Sequence, residues 1–427
     1  MPIGSVSQNI ASQSEYLRDT LEELVLLQAT LWKRIQKSTD ITSISNRPAR
    51  IPFNVLTGGI FRTGANLFDN ADMGRGSAPT QAFGNLSAVS FLQASEYTAL
   101  SEYATDSTEK AVEDYVTLTN RQATETMAGY LDSLAANSSG ANDLDTIVST
   151  ATNAYVVNNA NAFQDNQPID VWSAIGGTLR GSVTVQSVDI ANDTLWLTGP
   201  IAPGSVAGDT LLVSGSAGVA NSGTFGLPYY HVAGNAGNFM GIPRSAYPGK
   251  FSTPNVNPGT SASNTGSLTP ASVRALQAGI DLAMGIDAAD DEVVAHMNVD
   301  MAAAWENNAL PVQSIIYNED KGDQTADMLK KRQTTTIAGR EILRNIRAKI
   351  GRIDFINFKH WFRLETKALD MYEVGGQTLF PTYGATGGLN STMIFYMVVM
   401  FQLGLGQPRR DAYMGPNITI PRFYFGH

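Results

Sequence analysis

Residues 224–252 read TFGLPYYHVAGNAGNFMGIPRSAYPGKFS, and residues 268–284 read LTPASVRALQAGIDLAM. In the first stretch Leu227, Pro228, Tyr229, Tyr230, Pro243, Tyr247, Pro248 and Phe251 alternate with Gly226, Gly234, Gly237, Gly241 and Gly249. That mixture is too apolar for a solvated linker and too irregular for a strand or helix, so it predicts a rigid loop packed against something. In the second stretch Thr269 is an N-cap, Pro270 occupies the first helical position, and Val273, Leu276, Ile280 and Met284 share one face. Neither stretch carries a catalytic motif.

The composition of the 427-residue chain, 43% hydrophobic and 16% charged, is that of a globular protein with two or three packed units. It has no cysteine, which excludes disulfides, thiolate metal sites and cysteine nucleophiles. A net charge of -10 restricts any grip on nucleic acid to a local patch. The opening MPIGSVSQNIASQSEY lacks the basic and apolar regions of a signal peptide. The longest apolar run, residues 393–405, is broken by Gln402 and Gly404 and is too short to span a bilayer. These features predict a soluble chain folded in a cytoplasm, with no membrane partner.

Along the chain, Leu17, Leu21, Leu24, Gln28, Leu31 and Ile35 form a short heptad seam within a helix expected over residues 8–37, with Trp32 and the basic Lys33, Arg34 and Lys37 at its end. Two readings stand: a helix packed on its own domain, or an arm that docks on another subunit or a scaffolding helix. Residues 47–97 hold Gly58, Gly59, three prolines and scattered phenylalanines around the turn-rich DNADMGRGSAPT of residues 69–80. Two extended arms joined by that turn form a hairpin too long to stand alone in water, so a partner surface is expected. Asp106 and Glu109 form a capping box for a helix running to residue 136, with Val112, Tyr115, Val116, Ala123, Met127, Tyr130 and Leu134 on one face. A β-rich module follows at residues 150–216, where near-alternation in GSVTVQSVDI and TLWLTG marks half-buried strands. Beyond residue 284, EVVAHMN reads as a buried strand and VDMAAAWENN as a short helix. GRIDFINF, HWFRL, LDMYEV and MIFYMVVMFQLGL then read as strands.

The GL-aromatic-aromatic start, the GIPRSAYPG centre and the Thr-capped helix resemble the middle of tailed-bacteriophage major capsid proteins of the Hong Kong 97 fold. The resemblance implies an α+β chain with six parts. These are an N-terminal arm (1–46), an extended β-hairpin loop (47–104), a spine helix opening the peripheral domain (105–149), a β-rich module (150–223), the loop just quoted with an axial domain (224–336), and returning strands (337–427). It further implies a non-enzymatic shell subunit in a virion capsid, assembled in the host bacterial cytoplasm as hexamers and pentamers around double-stranded DNA. Scaffolding, portal and cement proteins are the implied partners, and no cofactor is implied. Arg50, Arg62 and Arg75 of the hairpin, with Leu21, Leu24 and Trp32 of the arm, are the subunit-interface candidates.

The four histidines, His231, His296, His360 and His427, lack metal-ligand spacing, and no phosphate-binding glycine loop or GxSxG occurs. The acidic pairs Asp290/Asp291 and Glu319/Asp320 sit in polar surroundings and read as solvated charge. Residues 330–352 hold eight basic residues (Lys330, Lys331, Arg332, Arg340, Arg344, Arg347, Lys349, Arg352) against the single acid Glu341. This stretch is either a solvated face paired to acids elsewhere or a patch facing DNA or an acidic neighbouring surface. Two other functions remain open at this stage: a related bacterial cargo shell of the encapsulin type, or a β-rich tail-associated or secreted carbohydrate-binding or hydrolytic protein.

Some members of the resembled family weld subunits through a loop lysine. Here no lysine lies between Lys37 and Lys110, and arginine is no substitute because it stays protonated. With no cysteine either, assembled particles are expected to be held non-covalently. Boiled in detergent, they should run on a denaturing gel as one band near 45.7 kDa; a surviving ladder of dimers to hexamers would contradict this.

Overall fold

The structure, a computed structural model, describes residues 29–38, 48–59, 76–98, 115–259, 266–284, 293–309, 336–337, 340–383 and 388–419. Helix α1 (Thr30–Arg34) is followed by β1 (Ala49–Leu56), β2 (Thr80–Leu86), β3 (Val89–Thr98) and the long helix α2 (Tyr115–Asn137). Six strands come next: β4 (Asp143–Ala151), β5 (Ala154–Val157), β6 (Pro168–Trp172), β7 (Leu179–Asp189), β8 (Thr194–Leu197) and β9 (Thr210–Val213). The loop region holds α3 (Leu227–Tyr230), β10 (Asn238–Phe239), β11 (Ile242–Pro243) and β12 (Asn255–Val256). Then come β13 (Gly266–Ser267), α4 (Pro270–Met284), β14 (Val293–Met297), α5 (Val299–Ala309), β15 (Ile342–Arg344) and β16 (Ile353–Asn357). The described chain closes with β17 (Trp361–Met371), β18 (Leu379–Tyr383), β19 (Leu389–Leu405), β20 (Ala412–Met414) and β21 (Ile418–Thr419).

Three bodies share this mixed α+β fold. The 17-residue β19 is the spine of a four-stranded antiparallel sheet. β3 runs along one edge of it from Val89↔Phe401 to Thr98↔Thr392, while β17 and β18 divide the other edge. HWFRL and LDMYEV are therefore not two strands: residues 361–371 form one, interrupted by register shifts at Glu365/Lys367 and Lys367/Asp370. A five-stranded mixed sheet in the order β12-β20-β16-β14-β15 is the second body. Every residue of β14 and β16 is buried, as expected of strands covered on both faces. Against it packs α4, its Val273, Leu276 and Ile280 buried and its first turn capped by Thr269 Oγ1 accepting from Ser272 N at 3.3 Å. The third body is a closed six-stranded barrel, β4-β5-β8-β7-β6-β9. It begins at Asp143, ahead of the residue 150 that the pattern suggested, because β4 (DLDTIVSTA) turns four consecutive residues to solvent and shows little periodicity.

The 23 residues of α2 extend ~35 Å at 1.5 Å per residue; Asp106 and Glu109 lie outside the described residues. Its last turns are buried all round because barrel, sheets and loop meet there. The loop that opens at Thr224 is pinned to this end. Gly226 N donates to Ser138 O, and a Cβ on Gly226 would fall 2.6 Å from Leu134 O and 2.7 Å from Ser138 O. Only glycine permits that approach. Phe225, Tyr229, Tyr230, Phe239 and Phe251 then fill the central core.

The hairpin's base departs from expectation. β1 and β2 pair antiparallel from Ala49↔Leu86 to Leu56↔Thr80. Val55, Ala82 and Leu86 are buried, and the Phe53 ring meets Phe239 and Phe251 edge-on, each at 5.6 Å. The base therefore has an intramolecular core, built from a period-2 stripe that a search for helical periodicity passes over. Residues 60–75, which include most of the turn, lie outside the described residues.

Gly226→Ala should destabilise the subunit by about 1–3 kcal/mol, the usual range for overpacking. Urea unfolding measures this, and an unchanged midpoint would show that the loop is not held against α2.

Candidate functional site

The chemistry-bearing side chains gather where the loop, the five-stranded sheet and the four-stranded sheet meet. His231 follows α3, Asp354 stands in β16, Asp411 precedes β20, and Trp361 opens β17. His231 Nδ1 lies 2.7 Å from Asp354 Oδ1, and Nε2 lies 3.0 Å from Asp411 Oδ2. Ionised carboxylates only accept, so both ring nitrogens donate and the ring is an imidazolium. Arg352 Nε donates to both Asp354 oxygens at 2.8 and 3.0 Å, and its guanidinium lies 4.6 Å from the Tyr413 ring centre. Asp411 also accepts from Trp361 Nε1 at 2.6 Å and Asn357 N at 2.8 Å. Two cations thus balance two anions in a buried site, the condition for keeping charge out of water. Burial opposes the charged ring of His231, but the two carboxylates outweigh it and raise its pKa. Burial likewise opposes ionisation of Asp354, yet Arg352 and His231 hold its carboxyl well below the usual range.

A second buried junction ties down the amino-terminal segment. Asp132 of α2 accepts from Leu31 N at 2.7 Å and Trp32 N at 2.9 Å, capping α1 with a side chain about a hundred residues away. Its other oxygen accepts from Asn345 Nδ2 at 2.7 Å, and that nitrogen lies 3.1 Å from His296 Nε2. Burial pushes Asp132 up and pushes His296 down to about 4.

Residues 345–352 of the basic stretch pass between these junctions. Asn159 Nδ2 from the barrel and Asn298 Nδ2 after β14 each donate to the Ile346 and Ala348 carbonyls, at 2.9–3.1 Å. Asn137 Nδ2 donates to Arg347 O at 2.9 Å. Arg347 is only 1% exposed, so it cannot face DNA, and Arg352 is consumed by Asp354. Arg344 remains exposed and Arg340 half-buried; Lys330, Lys331 and Arg332 lie outside the described residues. Trp32 is buried too, its ring 4.5 Å from Phe401 and 4.2 Å from the Arg363 guanidinium, so it serves the subunit's own core. Arg50 is exposed on β1. Leu21, Leu24, Arg62 and Arg75 lie outside the described residues.

Neither junction is arranged for catalysis. His231 is closed from solvent with both nitrogens engaged, and no metal-binding group of three or more His, Asp or Glu occurs among the described residues. The sequence signal for the first junction was slight: one acid inside the apolar run IDFINF and one histidine ending LPYYH.

No protein-family model matches the chain, and no curated protein matches it either. Among solved structures it is similar to the capsid subunit of cyanophage A-1(L), with a TM-score of 0.56 and 12% identity over 94% of this chain and 96% of that one. Two others are the capsid of a native GTA particle (TM-score 0.46, 10% identity, 96% and 99% covered) and an encapsulin complex of Synechococcus elongatus (0.45, 9%, 100% of both). The fold is that of the cyanophage capsid subunit, over 94% of this chain.

His231→Ala leaves two buried carboxylates short of a partner and should cost about 3–5 kcal/mol at neutral pH. His296 acts in the acid range. Above pH ~6.5 its ring is neutral in both states; below that the unfolded ring gains a proton that the folded ring refuses until about pH 4. Its contribution should therefore fall by roughly 3 kcal/mol across that window. A pH series of urea unfolding measures it, and an equal acid slope in His296→Gln would contradict the assignment. His231 runs the other way: its raised pKa gives a contribution complete below ~6.5 and lost as pH rises through the folded value.

Proposed function

We propose that the chain is a major capsid protein, a non-enzymatic subunit that assembles through hexamers and pentamers into an icosahedral shell around double-stranded DNA. The observation that carries this reading is the likeness to the cyanophage capsid subunit over 94% of one chain and 96% of the other, which leaves no sizeable part of the chain for another purpose. In this reading α2 is the spine helix of a Hong Kong 97-type fold. The four-stranded sheet belongs to the peripheral domain, the five-stranded sheet with α4 and α5 to the axial domain, and the barrel is an added module. The hairpin β1/β2, continued by residues 60–75, is the extended loop that overlaps a neighbour.

The surface supports such an overlap. Phe83 and Leu56 on the hairpin are 54% and 45% exposed, beside the exposed Arg50. Apolar area left open on a monomer is worth about 25 cal/mol per Å² gross when a neighbour covers it, less the entropy of ordering. DNA contact is assigned to the remaining basic residues of the stretch, Lys330, Lys331, Arg332, Arg340 and Arg344, by non-specific phosphate pairing. The virion capsid is the location, assembly takes place in the host bacterial cytoplasm, and scaffolding, portal and cement proteins are the partners.

Expressed alone or with a scaffold, the protein should sediment as megadalton particles and show closed shells in negative stain. Deletion of residues 69–80 should leave folded subunits that do not close. A wild-type protein that stays monomeric to trimeric under all conditions would contradict the reading, and normal shells from the deletion would contradict the overlap.

A further inference from the structure

The four-stranded sheet carries two chemically opposite features. At the end where β17 begins and β19 finishes lies a cleft of ≈ 680 Å³, lined by the β1 edge from Ile51 to Val55, by Phe251, and by Lys250, Pro408, Arg409 and Arg410. Its lining holds no carboxylate. Successive side chains of a strand point to opposite faces, so a cleft touched by five consecutive β1 residues runs along the strand's edge, where backbone groups are presented. Among the described residues β1 pairs only with β2, which leaves that edge open. Lys250 and Arg409 are exposed and have no carboxylate partner among the described residues.

Where β17 gives way to β18, beside Met397 and Phe395 of β19, the edge of the same sheet carries an exposed projection, its tip, with the inverse character. Asp370 and Glu373 are exposed, and the chain has no lysine or arginine between Lys367 and Arg409. Tyr372, Val374 and Leu379 are 40–50% exposed there, an apolar cluster beside the two acids. Trp361 and Met371, at the two ends of β17, pair with Leu405 and Met397 of β19 and so stand ~26 Å apart at 3.3 Å per residue. One rigid sheet cannot bring its own tip to its own cleft.

We propose that the sheet tip of one copy seats in the β1-edge cleft of the next copy, with Asp370 and Glu373 against Lys250 and Arg409. Tyr372 and Val374 cover Ile51, Pro52 and Phe53 of the β1 edge, whose open side offers N–H and C=O groups to the tip, a mode that draws affinity from main-chain hydrogen bonds. The occupant is a second copy because the charges complement within one sequence: an acidic, apolar projection and a cationic, apolar-floored cleft. Since the two patches differ, the contact is heterologous and generates rings or shells rather than an isolated two-fold dimer. This inference rests on the shell reading and adds to the hairpin overlap a contact of its own.

The test uses the full-length chain and reads the protein concentration at which particles form, by light scattering and sedimentation. D370K/E373K and K250E/R409E should each raise that concentration by ~10-fold or more, because like charges then face each other across the contact. The quadruple variant, with the charges exchanged, should return to within ~3-fold of wild type, a recovery that a merely misfolded variant cannot give. Double variants that assemble at the wild-type concentration, or a quadruple variant that does not recover, would overturn this contact and leave the shell reading standing. A wild-type chain with no concentration-dependent association would overturn both.

Discussion

A buried imidazolium held between two carboxylates is the constraint that fixes the aromatic loop and the two open sheets against one another. His231 arrives from the aromatic loop, Asp354 from the five-stranded sheet, and Asp411 from the link between the two sheets, where it also holds the indole that opens β17. Such a site is worth little as raw attraction, because desolvation consumes most of the Coulomb gain. Its value is positional. The charges balance in only one arrangement, so the sheets are held at one relative placement. The Asp132 junction does the same for α1, and the paired asparagines Asn159 and Asn298 do it for the strap at residues 345–348.

In the proposed shell reading, that fixed placement matters more than it would in an isolated protein. Closure depends on the angle between the surfaces that each copy presents, and an error of a few degrees per contact accumulates around a ring. The central body is accordingly stitched by long-range polar pairs and an aromatic core, while the hairpin (Leu56, Phe83) and the edge of the four-stranded sheet (Tyr372, Val374) leave apolar side chains exposed. Rigid middle and adhesive margins are the division of labour expected of a part that folds first and associates afterwards.

Much of this was legible in the sequence where the signal is local. Thr269, Pro270 and the spacing of Val273, Leu276 and Ile280 specified α4 because cap and stripe lie within one segment. The run VVAHM announced a strand buried on both faces. The hairpin's arms were legible as well, but their packing was not, since the stripe Phe53, Val55, Ala82 and Leu86 becomes a face only when two segments pair. Barrel closure was hidden for the same reason. The basic stretch misled in a more instructive way: eight cations in 23 residues look like a surface, yet Arg347 and Arg352 have their partners inside. The junction itself joins residues 123 and 180 positions apart, and no local pattern reports such partners.

The central claim, a rigid polar-stitched body with association surfaces at its margins, is tested most directly by hydrogen exchange on the free subunit and on purified particles. Amides of residues 231, 353–357 and 412–414 should be strongly protected, and equally so, in both states. Those of residues 49–56, 80–86 and 369–383, in part paired already within the subunit, should gain further protection in particles. Fast exchange at the junction in the free subunit, or unchanged exchange at the hairpin and sheet tip on assembly, would contradict the account.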